Sequence, residues 1–233
     1  MSFLNFFKQK KEKTLPEILL IDKPKGITSF DVIRELKKRY GDLKIGHAQN
    51  LKIGHAGTLD PLATGLLIIG VGDGTKKMGD FLKLSKVYEV HILLGIKTDT
   101  GDLDGKIIEE KIVSFIDGKE VERIFKNLVG DIVLAVPVYS AVKQKGVPLY
   151  KRARRGEIVV PPEKKMHIER MELLGIVKEG GRIILFAEME VGSGTYVRSI
   201  VEEIGKRLGV PATVKELRRT KIGDFDVRDA QKL

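Results

Sequence analysis

The sequence predicts an α+β fold in one large domain, and three observations support this. Some apolar segments show the alternation or the short continuous runs of β-strands, whereas others repeat at the spacing of an amphipathic helix. These segments follow one another irregularly, which is typical of α+β proteins and not of a regular βαβ succession. With 233 residues, of which 42% are hydrophobic, the chain can bury one substantial core.

Mainly apolar segments are expected to form the strands, and amphipathic segments the helices. The expected strands are residues 17–21, 65–71, 87–94, 166–177 and 182–191. A first helix is expected to begin at Thr28 or Ser29, either of which can cap it, and a second to cover about residues 119–128. The last expected helix begins near Thr195 and buries an apolar stripe between Val197 and Leu208.

The charge balance indicates a partner that is a polyanion. The chain has 42 Lys and Arg against 32 Asp and Glu, so its formal net charge is +10 and its pI is about 9.6. Such a protein is expected to bind nucleic acid with a salt-dependent affinity. The alternative is a basic protein that does not bind nucleic acid specifically.

Composition also excludes several classes of protein. With no cysteine, the chain has no disulfides, thiolate zinc sites or cysteine nucleophiles. No apolar stretch approaches the roughly 20 residues that span a bilayer. In the N-terminal segment the lysines follow the apolar residues, the reverse of a signal peptide, so residues 1–16 are interpreted as a basic arm. These features favour a cytoplasmic protein.

The most informative segment is residues 54–65, which places Asp60 among glycines and other turn-forming residues ahead of an apolar run. An Asp before Pro is most often only a turn former. The whole string, however, resembles the Gly-His-x-Gly-x-Leu-Asp-Pro loop of the bacterial tRNA pseudouridine synthase B family. In that family the loop aspartate attacks the target uridine.

Five further segments resemble motifs of the same family and occur in the order that the family requires. They are residues 19–29, 86–90 with Tyr88, 98–105, 139–154, and 194–199 followed by 217–219. The resemblance spans about residues 18–227. It implies a pseudouridine synthase catalytic fold over residues 17–233, with a central, mixed but largely antiparallel sheet flanked by helices and loops.

The resemblance further implies that the chain isomerises a uridine in the T arm of tRNA, conventionally position 55, to pseudouridine. No metal or organic cofactor is needed, because the reaction has no redox change. The partner is tRNA, with no obligatory protein partner and no membrane, and the enzyme is expected to be a monomer. Asp60 is the nucleophile, either through a covalent intermediate or by assisting glycal formation, and these two routes stay open.

Two more catalytic residues follow from the resemblance. Arg198 is expected to pair with Asp60 and to keep it ionised by lowering its pKa. The alternative for Arg198 is a surface pair with Glu202, four residues along a helix. Tyr88 is expected to stack on the flipped uracil and to act as a base; its alternative is an ordinary core aromatic residue.

The remaining expected site residues bind the substrate. Tyr196 and Leu217 complete the apolar walls, although both are equally compatible with plain core. Lys23 supports the site beside its Lys-Pro turn, and His55 occupies the space vacated when the uridine is extruded. In isolation, His55 next to glycine is more often a simple loop residue.

A thumb that grips RNA is expected as an insertion at about residues 137–160. Its cations follow Tyr139-Ser140-Ala141, whereas charge runs elsewhere usually form solvated faces. The expected phosphate contacts are Lys143, Arg152, Arg154 and Arg155.

Two departures from the family pattern stand out. Residues 43–48 recur as residues 51–56, so either copy could pair as the strand, and a bulged loop is expected at about residues 41–50. In the first copy, His47 stands at the family spacing, although only His55 leads into the Asp60 loop. The chain ends at Leu233, so most of the usual C-terminal RNA-binding domain is expected to be lacking.

Two rival functions stay open. One is a guide-RNA-dependent pseudouridine synthase of the archaeal or eukaryotic type, and the other is a catalytically idle RNA-binding or tRNA-folding protein. Weaker patterns are set aside: the Ser-x-x-Lys at residues 140–143 lacks its companion motifs, residues 70–75 fit a turn better than a dinucleotide loop, and residues 99–104 fail the calcium-loop spacing.

Overall fold

The computed structural model describes residues 16–40 and 52–233 of the chain. Three expected features lie outside the described residues. They are the basic arm, except for its last residue Pro16, the loop at residues 41–50, and His47 of the first repeat copy. The second copy is described from Lys52 onward, and its residues Ile53–Ala56 form a strand. Within these ranges the strand pairing therefore uses the second copy.

The described chain folds into strands and short helices in irregular order. The strands are β1 (Ile18–Lys23), β2 (Ile53–Ala56), β3 (Thr64–Val71), β4 (Lys86–Leu94), β5 (Ile96–Thr98), β6 (Ile107–Glu110), β7 (Gly130–Ala135), β8 (Lys143–Gln144), β9 (Val147–Pro148), β10 (Glu163–Glu179), β11 (Arg182–Val191), β12 (Ala212–Ile222), β13 (Phe225–Asp226) and β14 (Gln231–Lys232). The helices are α1 (Ser29–Tyr40), α2 (Met78–Lys83), α3 (Gly118–Leu128), α4 (Leu149–Arg154) and α5 (Val197–Arg207), with two short 3₁₀ turns at Gly72–Lys77 and Val227–Asp229.

One mixed sheet forms the centre of the fold. Its strands lie in the order β14-β1-β3-β12-β4-β11-β10-β7, and β2 and β13 pair with β3 and β12 beside this path. Its pairings are antiparallel except for β1 with β14 and β3 with β12. The predicted α+β class and the largely antiparallel sheet are thus confirmed.

The strongly patterned elements occur close to where they were predicted. Strand β11 has the predicted bounds, and helix α3 buries the apolar residues of its stripe. Strands β7 and β12 were not predicted. Strand β12 is the more important omission, because it pairs with both β3 and β4 in the middle of the sheet. Charged residues are spread along this strand.

The core lies in two main layers that place the site between them. The largest apolar cluster joins β4, β11 and β12 to helices α3 and α5. A second cluster packs α1 against β1 and β3. Helix α1 contacts the loop that connects β2 to β3 through Ser29, and helix α5 contacts it through Arg198. Among the helices at residues 16–40 and 52–233, none has the length and apolar character that a membrane crossing requires.

Candidate active site

Asp60 lies in a tight turn between β2 and β3. The Asp60 carbonyl accepts a hydrogen bond from the Ala63 N–H at 3.1 Å, and Pro61 follows Asp60 directly. Proline at this position presets the backbone dihedral that the turn requires. The Asp-Pro pair is therefore a true turn former, and the turn also exposes the Asp60 carboxylate at the end of a buried strand.

The residues on both sides of Asp60 are held by the segment that follows β1. The buried Ser29 hydroxyl accepts from the Leu59 N–H at 2.8 Å and donates to the Leu59 carbonyl at 3.2 Å. The Lys23 ammonium donates to the Pro24 and Ile27 carbonyls at 2.9 and 2.7 Å, and reaches the Pro61 carbonyl at 3.4 Å. The backbone is thus fixed immediately before and after Asp60.

Arg198, near the start of α5, pairs with Asp60. Its Nε lies 2.9 Å from Asp60 Oδ2, and its side chain is only 6% exposed. Its two terminal nitrogens donate to the carbonyls of Thr100 at 2.6 Å and Tyr139 at 3.1 Å. Because every nitrogen of the fork has a partner, the guanidinium has one defined orientation. The alternative pair with Glu202 does not form, since Glu202 bonds to Lys97.

A second carboxylate shares the Arg198 guanidinium. Asp102 is buried, and its Oδ2 lies 3.8 Å from Arg198 Nε. Its other oxygen accepts from the Thr100 hydroxyl and from the Asp104 N–H. The arginine thus lies between two carboxylates, and in the described ranges no group of three or more metal-ligating side chains is assembled.

The electrostatics of Asp60 differ from the prediction. Burial raises the pKa of the Asp60 carboxyl above its ordinary value, and the nearby Asp102 charge adds to this. Arg198 and Lys23 oppose the increase without reversing it. Arg198 thus pairs with Asp60 and lowers its pKa as expected, but desolvation outweighs the guanidinium, so the net shift of the pKa is upward. The side chain is still 37% exposed on its open side, which leaves it accessible.

Tyr88 and Leu217 lie together at the base of the site. Both are nearly buried, at 8% and 7% exposure, in the apolar cluster that also contains Leu59 and Leu62 from the Asp60 loop. Tyr88 is on β4 and Leu217 on β12, two strands that pair directly. Tyr88 and Leu217 are therefore part of the core and at the same time border the Asp60 loop.

His55 is placed on β2, opposite Ile69 of β3. Its Nδ1 is buried without a hydrogen-bond partner among the described residues. Burial lowers the pKa of the imidazole, and the Arg219 charge lowers it further, so the neutral ring is favoured. His55 is thus a neutral group with an uncommitted nitrogen beside the turn.

Arg219 and Lys86 are buried cations near the site that sequence reasoning did not single out. Arg219 is 1% exposed and Lys86 is 5% exposed. Arg219 donates from Nε to the Leu66 carbonyl at 2.7 Å and from Nη2 to the Gly57 carbonyl at 3.0 Å. The Leu217-Arg218-Arg219 match was the available signal for Arg219, but without β12 in the prediction its burial could not be inferred.

Tyr196 lies farther toward the thumb. It precedes α5 and packs on the cluster formed by Val136, Leu149 and Met166, with the Lys164 ammonium 5.6 Å from its ring centroid. Burial raises the pKa of its hydroxyl. Tyr196 therefore lies between the start of α5 and the apolar cluster beneath α4.

The chain between β7 and β10 contains the hairpin β8–β9 and the short helix α4. Lys143, Arg154 and Arg155 are exposed there, as expected of phosphate contacts. Arg152 is different: its guanidinium donates to Glu157 and to Gln144, both at 2.6 Å. Arg152 thus links the hairpin to the end of α4, and its expected phosphate contact stays a prediction.

Two solved structures share the fold of this chain. The chain aligns over 93% of its length, with a TM-score of 0.66 and 27% identity, to a chain of the "Crystal Structure of a Cbf5-Nop10-Gar1 Complex", of which it covers 52%. It also aligns, with a TM-score of 0.63 and 22% identity, to a chain of an H/ACA RNP bound to a substrate RNA containing 2'-deoxyuridine, which supports the fold alone. The chain therefore shares the fold of these two proteins.

The family follows from sequence comparison. Residues 42–197 match the model of the TruB family pseudouridylate synthase N-terminal domain, and residues 198–233 match that of the tRNA pseudouridylate synthase B C-terminal domain. The chain therefore belongs to the TruB family of pseudouridylate synthases. It is 41% identical over 214 residues to tRNA pseudouridine synthase B of Endomicrobium trichonymphae, covering 91% of this chain and 87% of that protein. It is 40% identical to the protein of the same name from Caldicellulosiruptor saccharolyticus, covering 91% and 69%.

The boundary between the two family models passes through the site. It falls between Val197 and Arg198, within helix α5. The residues matched by the C-terminal model include most of α5 and all of β12, a central strand of the sheet. In this structure they complete the catalytic fold and do not form a separate body.

Proposed function

We propose that this chain isomerises a uridine in the T arm of tRNA, at the position conventionally numbered 55, to pseudouridine. The observation that best supports the chemistry is the Asp60 carboxylate, which lies 2.9 Å from a buried arginine at the tip of a turn fixed on both sides. Membership of the TruB family and the names of the relatives support tRNA as the substrate.

Asp60 starts the reaction at the ribose C1′ carbon. Its carboxylate either attacks C1′ or assists glycal formation, while the bond to N1 breaks and its electron pair leaves with the uracil. The freed base turns and C5 bonds to C1′ as the bond between Asp60 and C1′ breaks or, on the glycal route, as C2′ regains the proton that it had lost. C5 then loses a proton and N1 gains one, so atoms and charge balance without a cofactor.

The target uridine has to leave its stack to reach Asp60, at a cost of a few kcal/mol. Tyr88 and Leu217 provide an apolar surface beside the Asp60 loop on which a flipped uracil can rest. Tyr196 extends this surface toward the thumb, and His55, on β2 beside the Asp60 loop, is proposed to occupy the space that the extruded uridine vacates. Tyr88 also provides the hydroxyl that takes part in proton transfer.

The thumb, residues 137–160, is proposed to grip the RNA backbone. Lys143, Arg154 and Arg155 are exposed and free to contact phosphates, whereas Arg152 supports the thumb from within. Such contacts position the RNA without reading its sequence. The target is therefore selected by the shape of the T arm and by the pocket around Asp60.

The enzyme is further proposed to act alone in the cytoplasm, as a monomer, without a guide RNA. Arg198 already reaches its carboxylate and both of its carbonyl partners within the single chain. The paired groups around Asp60 thus need no contribution from a second protein.

The test is tritium release from C5-labelled uridine in an unmodified tRNA transcript, using the chain alone. Release is expected from this transcript, and specific loss of that release is expected when only the T-arm uridine is replaced by cytidine. Release that persists from the changed transcript would contradict the target position. RNA binding without any release would favour the idle binder, and release only after guide RNA and partner proteins are added would favour the guide-dependent type.

A further inference from the structure

The hydroxyl of Tyr88 has a buried cation as its neighbour. Arg219 Nη1 lies 3.5 Å from Tyr88 Oη, and the two residues are cross-strand partners of β12 and β4. A guanidinium can only donate hydrogen bonds. The Tyr88 oxygen must therefore accept from Arg219, and its own proton points away from Arg219.

The local backbone holds Arg219 in this place. Two of its nitrogens are bonded to the carbonyls of Leu66 and Gly57, one on each side of the Asp60 turn. A Cβ at Gly65 would lie 2.2 Å from the Arg219 carbonyl oxygen, and one at Gly57 would lie 3.3 Å from Arg219 Nη1. Both glycines also have positive φ angles. The loop around Asp60 is therefore built closely against Arg219.

The guanidinium of Arg219 is hydrogen-bonded to neutral acceptors. Within the part of the chain that the structure describes, Arg219 forms no salt bridge, and its hydrogen-bond acceptors are two carbonyls and one hydroxyl. Lys23 and Lys86 are also buried, and the Arg219 charge contributes to lowering the pKa of each. Such a group of buried cations stabilises negative charge that develops nearby, because the protein interior screens it weakly.

We propose that Arg219 is a positioning residue that acts through Tyr88 on the removal of the C5 proton. This inference rests on the proposed function. The Tyr88 oxygen takes the proton from C5 of the rejoined base, and its own proton passes to N1, directly or through water. The hydroxyl returns to its starting state, and no further reactant is needed. Arg219 holds the oxygen in place and stabilises negative charge on it during the transfer.

The test compares the parent with Arg219→Lys and Tyr88→Phe on tRNA transcripts labelled with hydrogen or deuterium at C5. Lysine keeps the charge but cannot fill the three-way fork, and phenylalanine removes the oxygen. Arg218→Lys is the matched control, because Arg218 is the neighbouring residue on β12 and bonds to Asp22 on β1. Thermal unfolding and tRNA affinity are measured for each variant to show that it folds.

Arg219→Lys is expected to lower turnover by about 10- to 100-fold, the scale of a disturbed proton transfer. Its deuterium isotope effect should rise above that of the parent, because C5 proton removal becomes slower than the preceding steps. In a Tyr88→Phe background the Arg219 change should add little, since both act on one step.

A folded Arg219→Lys variant that turns over slowly with an unchanged isotope effect would overturn the proposal and leave Arg219 a purely structural role. Full additivity of the two changes would do the same. If the parent itself releases no C5 hydrogen, the proposed function fails first, and the two failures are therefore distinguished.

Discussion

Asp60 and the residues that hold it, Lys23, Ser29 and Arg198, form what we term the catalytic floor, and the thumb of residues 137–160 lies beside it. In the floor, Lys23, Ser29 and Arg198 are buried and bonded to protein atoms. In the thumb, most cations face solvent. A preorganised floor suits chemistry at one atom, whereas an exposed, charged thumb suits a grip on a long polyanion. Changes in the floor should therefore lower kcat, and changes in the thumb should weaken RNA affinity.

Among the residues that hold Asp60, the largest effect is expected for Arg198→Lys. Lysine keeps a positive charge but cannot bond Asp60, Thr100 and Tyr139 at the same time. The Asp60 carboxylate is then no longer held in one orientation. We expect kcat to fall about 100-fold, because small misplacements of a reacting group cost about this much. Single-turnover rates and equilibrium binding on one tRNA measure the two quantities separately.

The control is Arg207→Lys, at an exposed pair at the end of the same helix. Arg198 also contacts the Tyr139 carbonyl at the start of the thumb. A loss of tRNA affinity as large as the loss of rate would show that Arg198 supports the thumb as much as the floor. It would contradict the assignment of rate to the floor and of affinity to the thumb.

Ser29→Ala should have the next largest effect. Without the hydroxyl, the N–H and the carbonyl of Leu59 both lose their partner, and the Asp60 turn is free to shift. We expect kcat to fall by about 10-fold with tRNA affinity unchanged. Thr28→Ala is the matched control, since Thr28 bonds to Asp31 at the same helix start but does not contact the loop. Equal effects of the two changes would mean that only helix α1 was weakened.

The thumb should respond to charge and salt. Arg154→Gln is expected to weaken tRNA binding several-fold and to reduce the slope of log affinity against log salt by about 1, with kcat at saturating RNA unchanged. Arg152→Gln should change this slope less, because Arg152 is already paired with Glu157. Affinity titrations across several salt concentrations make the comparison. The same slope change for both would place Arg152 on the RNA.

The smallest expected effect is a shift of the pH profile. Asp60 must be ionised to act, so kcat should fall as pH decreases through its raised pKa. The Lys23 charge lowers the pKa of Asp60, so Lys23→Met should move this acidic limb to higher pH. Lys23 itself has a pKa lowered to about 8 by burial, so it is charged where the limb lies. Lys25→Met, at an exposed neighbour, should leave the limb in place; a shift toward lower pH in Lys23→Met would contradict this account.

The sequence was sufficient for elements and motifs with a strong local signal. The stripe of α3 and the apolar β3 could be read directly, and the Asp-Pro turn and the Gly-Thr-Tyr-Val-Arg string pointed to Asp60 and Arg198. Strand β12 was not predicted, because the charged residues along it obscure the alternation of apolar and polar residues. The burial of Arg219 was not predicted either, because it depends on the pairing of β12 with two strands that are distant in sequence.

Two properties of the site depend on surroundings that no local pattern contains. The raised pKa of Asp60 reflects how many groups from distant segments exclude water from it. The pairing of Arg152 with Gln144 and Glu157 depends on the way the hairpin β8–β9 folds against α4. Residue type alone identified a charge in each case, but the fold decided what that charge does.

The most direct test of the account measures the single-turnover rate and the tRNA affinity of Asp60→Asn beside those of the parent and of Asp80→Asn, an exposed control. Asparagine keeps the shape of the side chain and removes the reacting carboxylate. We predict that Asp60→Asn loses the isomerisation while tRNA affinity stays close to that of the parent, and that Asp80→Asn retains both. Retained turnover in Asp60→Asn, or equal loss of turnover and binding, would contradict the role of Asp60.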